Sequence, residues 1–121
     1  MTTPNRLTAF RNPNYYSADH EQFRDTVRAF ATREIAPYAN EWDEAGGFPR
    51  ELYRKASQAG LLGLGYPEEY GGTPCDIFYK LILSEELARG GAGGVCASLM
   101  SHTIGSPPIL AAGSAAMKQR V

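Results

Sequence analysis

Few side chains in this 121-residue chain stand where they could do chemistry together. His102 lies one helical turn from Ser98 and is followed by Thr103, a spacing that a nucleophile and its general base could use. No neighbouring segment offers an oxyanion hole or an acid to orient the ring, so His102 reads as a hydrogen-bonded helix histidine. His20, near a helix start, reads as a surface residue. Glu68 and Glu69 sit beside tyrosines in a stretch rich in Gly and Pro, where paired carboxylates serve turn and surface chemistry. Glu85 and Glu86 close a mostly apolar helix and are placed to pair with Arg89, at i,i+4 from Glu85, or with an arginine on another helix. Cys75 and Cys96 stand far apart without a CxxC or a Cys/His cluster, which argues for reduced, partly buried thiols and against zinc or a redox motif. The run Gly90-Gly91-Ala92-Gly93-Gly94 lacks the lysine and the preceding strand of a phosphate loop and reads as a helix break. The sequence thus places no catalytic residue and no metal ligand in this chain.

The elements that must position these groups are helical. Residues 1–17 carry Pro4, Pro13 and three asparagines with little periodicity, so they form an irregular arm, and residues 18–121 form one domain. Ser17 or Asp19 caps a first helix whose Phe23, Val27, Phe30, Ala31, Ile35 and Tyr38 recur on one face; it kinks or ends near Pro37. Trp42 and Asp43 anchor the turn after it. Phe48-Pro49 opens a second helix that stops at Gly60, and a turn-rich loop runs on to Pro74, its Gly71-Gly72 free to adopt backbone angles forbidden to other residues. Asp76 caps a third helix to about Arg89, apolar around most of its circumference and therefore expected at the centre of a bundle. A fourth helix is expected over Val95 to Ile104, a fifth opening at Pro107-Pro108 and ending at Gly113, and a sixth capped by Ser114. No segment alternates polar and apolar residues over strand length. The fold class is all-α, a bundle of about five to six helices.

A formal net charge of −1 gives no footprint for nucleic acid, and no apolar run reaches the length of a membrane span. Met1 to Phe10 has neither a secretory apolar stretch nor a transit pattern, so a cytoplasmic location is expected.

Three strings then fall in a recognisable order: FRDTVRAFATREIAPYANEWDEAGGFPRELYRKASQAGLLGLGYPEEYGG from Phe23, SEELARGGAG from Ser84 and GSPPILAAGSAAMKQRV from Gly105. In order and spacing they resemble the amino-terminal helical domain of the acyl-CoA dehydrogenase family, from roughly Ala18 onward. The resemblance implies an enzyme of three parts, of which this chain, stopping before the middle β-domain, is the first; a new helix start so near Val121 leads to the same expectation. It implies FAD as cofactor, held mostly outside this chain, and a glutamate from a carboxy-terminal domain that removes the α-proton of an acyl-CoA while the β-hydrogen leaves as hydride. The product would be a trans-2-enoyl-CoA, with electrons passed to an electron-transfer flavoprotein and the intact protein a homo-oligomer. Related acyl-CoA oxidases and flavin monooxygenases share the domain, and a non-enzymatic helical interaction module could be built on it.

The family's acyl pocket is walled by the helix that matches Val95 to Ile104. Carried across one position at a time, the resemblance makes Cys96, Ala97, Met100 and Ile104 substrate-binding residues. Cys96, Met100 and Ile104 follow one another at four-residue spacing, which puts the three on one side of a helix with Ala97 beside them. Some members carry polar or acidic residues at the places of Ala97 and Met100. The apolar residues here imply an apolar acyl group without a carboxylate at its far end, whose desolvation would be costly.

Overall fold

A computed structural model describes residues 14–121, so most of the 1–17 arm lies outside the described residues. Seven α-helices follow one another: α1 (Ala18–Glu34), α2 (Ala39–Ala45), α3 (Glu51–Gln58), α4 (Ile77–Ala88), α5 (Gly93–Leu99), α6 (His102–Ala112) and α7 (Ala115–Arg120). Short 3-10 turns at Ala36–Tyr38 and Glu68–Tyr70 interrupt the connections. Among the described residues no strand forms; Leu64 and Thr73 make one isolated bridge that ties the long loop across itself. The all-α expectation therefore holds, and no helix is long and apolar enough to cross a membrane.

The α1 face read from the sequence is the buried one: Val27, Phe30, Ala31 and Ile35 are each at most 3% exposed. They meet Leu83 and Leu87 of α4, Leu52 and Ala56 of α3, Leu61 and Leu64 of the loop, and Val95 and Leu99 of α5 in one core. Tyr38, expected on the same face, is exposed because the chain has already turned at Pro37. A separate α2 follows that turn, with Trp42 stacked on Tyr38 at a ring-centroid distance of 5.2 Å and tilted against Phe48 at 5.9 Å. In the loop after α3, Gly71 takes φ +83°, and a Cβ on Gly72 would come within 2.5 Å of the Tyr66 carbonyl carbon, so both glycines are required where they stand.

Three expectations need correction. First, α4 is buried on one side only: Ile82, Leu83, Glu86 and Leu87 are buried, whereas Ile77 and Leu81 are 58% and 44% exposed. It flanks α1 rather than filling the centre. Second, the helix expected over Val95 to Ile104 is two helices that break at Met100 and Ser101. There the hydroxyls of Ser101 and Thr103 donate to the carbonyls of Ser98 (3.0 Å) and Met100 (2.6 Å), competing with the helical ladder. Third, Pro107 and Pro108 lie inside α6 and do not open it. The helix tolerates them because the carbonyls their missing N–H groups would have served, on Thr103 and Ile104, belong to exposed residues that water can reach.

Candidate functional site

An apolar groove of about 580 Å³ runs between α4, α5, α6 and the loop after α3. Its α4 wall is the stripe Lys80, Leu83, Ser84, Leu87 and Ala88, which share one side because they recur at helical spacing. Leu61, Leu62 and Leu64 close it from the loop, Cys96 and Met100 from α5 and its end, and Thr103, Pro107 and Leu110 from α6.

The four proposed substrate-binding residues divide at the α5–α6 break. Cys96 and Met100 are half-buried and line the groove. Ala97 is exposed and does not line it, and Ile104, beyond the break, is 80% exposed and also outside the lining. The expected four-residue register from Met100 to Ile104 is lost with the helix that would have carried it. Cys96 donates its S–H to the Leu87 carbonyl at 3.4 Å, and burial pushes its thiol pKa up, so it stays protonated and acts as an apolar wall.

Elsewhere the titratable groups are structural. His102 donates from Nε2 to the Leu62 carbonyl at 2.7 Å, which fastens α6 to the loop as the helix-histidine reading expects. Glu86 is 1% exposed and pairs across helices as expected, accepting from Arg24 Nη1 (3.1 Å) and from Arg28 Nε and Nη2 (both 2.9 Å). Its neighbour Glu85 takes Arg24 Nη1 at 2.6 Å, while Arg89 lies nearer Glu86, at 3.7 Å. Burial alone would raise the Glu86 pKa; the hydrogen bonds from Arg28 and Arg24 outweigh it and hold the carboxyl below its ordinary value.

Sequence reasoning missed His20. It is only 8% exposed: the Ser17 backbone N–H donates to Nδ1 at 3.0 Å, and Nε2 meets the Asp76 carboxylate at 2.9 Å. Because Nδ1 accepts that N–H, the Nε2 proton faces Asp76. Ser17 and Asp76 are the N-caps of α1 and α4, so one imidazole ties two helix starts together. The Ser17-x-x-His20 spacing of a capping box was the available signal; the Asp76 link, 56 residues away in sequence, was not.

Among the described residues no group of three or more His, Cys, Asp or Glu could hold a metal ion. The groove's polar members, Lys80, Ser84, Thr103, Tyr66 and Cys96, are too few to satisfy the rings and pyrophosphate of a dinucleotide. They suit a ligand that is mostly hydrocarbon.

Residues 17–121 match the family model described as "Acyl-CoA dehydrogenase, N-terminal domain". The mitochondrial long-chain specific acyl-CoA dehydrogenase of Rattus norvegicus is 36% identical over 106 residues, covering 86% of this chain and 25% of that protein. A 3-(aryl)acrylate reductase of Clostridium sporogenes is 35% identical, over 79% of this chain and 26% of that protein. A crystal structure of a probable acyl CoA dehydrogenase from Mycobacterium abscessus superposes with a TM-score of 0.82 at 37% identity, covering 88% of this chain and 28% of that one. The chain thus spans about a quarter of the length of the curated relatives it matches.

Proposed function

The chain belongs to the acyl-CoA dehydrogenase family, as its amino-terminal domain, and from that premise we propose that it supplies one wall of the acyl site of an oxidoreductase acting on acyl-CoA thioesters. The observation that carries this reading is the groove between α4, α5 and α6, apolar along most of its length and walled by Cys96 and Met100. In the complete enzyme two hydrogens leave adjacent carbons of the acyl group to give a trans-2-enoyl-CoA, and electron-transfer flavoprotein takes the electrons. FAD supplies the hydride acceptor when bound, held mostly by polypeptide outside the described residues, where the base also lies.

The contribution of this chain is binding and exclusion of water. Each methylene laid into the groove gains about 0.8 kcal/mol from burial, before the cost of association is set against it. Leu83, Leu87, Cys96 and Met100 make no charged contact with the tail, so selectivity follows length and shape, and a far-end carboxylate is disfavoured. Residues 18–121 act as one domain, in a cytoplasmic homo-oligomer.

Met100→Glu in the complete enzyme tests the reading by steady-state kinetics. The expected result is a KM for a long-chain acyl-CoA raised at least about tenfold, because the tail must then lie against a charge, with a far smaller effect on butyryl-CoA. Equal loss on both substrates would point to disrupted folding, and an unchanged KM on both would reject the groove as the acyl site.

A further inference from the structure

The two ends of the groove differ in chemistry. α4 and α5 are joined by a short turn over residues 89–92, so Ala88, Gly93 and Cys96 lie at the joined end. Lys80 lies two turns back along α4, about 12 Å away at 1.5 Å per residue. The joined end is apolar. Lys80 brings the only charged side chain in the lining.

Two observations bear on this lysine. Its side chain lies down on the loop: a Cβ added to Gly65, which takes φ +82°, would come within 2.6 Å of Lys80 Nζ. Lys80 is exposed, and its ammonium lies beside Gly65 at the edge of the groove. No acid among the described residues pairs with it; the α4 N-cap Asp76 is engaged with His20 and the Phe78 N–H, and Glu85 and Glu86 of α4 with arginines of α1. Lys55 is paired with Glu34 at 2.9 Å, and Lys118, likewise without an acid partner among the described residues, lines a separate cleft.

An apolar slot that ends at an unpaired ammonium matches an apolar chain that ends in an anion. We infer that the groove binds a free fatty carboxylate, its tail toward the α4–α5 turn and its carboxylate on Lys80 Nζ, as a ligand competing with the acyl thioester. This rests on the proposed acyl site and adds to it a second class of ligand. The acid headgroup lies at the opposite end from the far-end carboxylate that the apolar wall disfavours.

The test is a binding titration of the purified full-length protein and its Lys80→Met and Lys80→Arg variants with decanoate, decan-1-ol and decanoyl-CoA. Backbone NMR shifts of Cys96 and Met100, with the Met100 methyl shift, report occupancy. Decanoate is expected to bind about fivefold tighter than the alcohol, an advantage of the size an exposed ion pair supplies. Lys80→Met abolishes that advantage and Lys80→Arg keeps it. Equal affinity for acid and alcohol, or an advantage that survives Lys80→Met, overturns the inference and leaves the acyl groove standing. A loss in Lys80→Met confined to decanoyl-CoA assigns the lysine to coenzyme phosphate and also overturns it. Failure of all three probes to move Cys96 and Met100 rejects inference and groove together.

Discussion

Glu86 shows how much one residue can carry. Its carboxylate is buried and is neutralised by Arg24, itself 2% exposed, and by Arg28. Glu86→Ala removes the buried acceptor shared by Arg24 and Arg28 while Arg24 keeps Glu85 and Glu21, and the expected loss, measured by urea denaturation, is about 1–3 kcal/mol. A pH dependence follows from the same contact. A carboxyl held below its ordinary 4.5 contributes stability that is fully present above that value and is lost as pH falls through the depressed one. Denaturation midpoints should therefore fall below about pH 4.5 in the native protein, and Glu86→Gln should flatten that acid limb. That Glu86 pairs with an arginine was legible from charge beside an apolar run. Which arginine was not, because 62 residues separate it from Arg24 and only the α1–α4 packing brings them together. His20 was misread for the same reason: half of its environment comes from the distant Asp76.

At the scale of elements, periodicity located α1, α3 and α4 well, because their apolar spacing and their caps agree. Ser17, Asp76 and Ser114 all cap helices as their types suggest. Ser17→Ala should lower stability by about 1 kcal/mol in thermal unfolding. The α5–α6 junction was not legible. Small and hydroxylic residues look helical there, and the side-chain bonds of Ser101 and Thr103 that break the helix leave no mark on periodicity. The break divides its neighbours sharply. Ile104→Glu, at an exposed position, should change stability by no more than about 0.5 kcal/mol, whereas Leu99→Ala, fully buried, should cost about 2–5 kcal/mol. Similar losses from the two substitutions would mean that a continuous helix runs through Met100 after all.

For the whole molecule, the family was readable because several short strings stood in the right order, and the match over residues 17–121 bears that out. Of the four residues singled out by the resemblance, Cys96 and Met100 line the groove because α5 keeps its register to its end, whereas Ala97 and Ile104 lie outside the lining, Ile104 because the register stops before it. Lys80 escaped notice because nothing in sequence places it opposite Gly65. The central claim is that an acyl tail lies between α4 and α5, and photocrosslinking tests it directly. The complete enzyme would be irradiated with an acyl-CoA carrying a diazirine at the end of its chain, and the labelled residues mapped by mass spectrometry. The account predicts label on Leu87, Cys96 or Met100, suppressed by unlabelled acyl-CoA. Label on Ala97 or Ile104 instead, or none within residues 80–111, would contradict it.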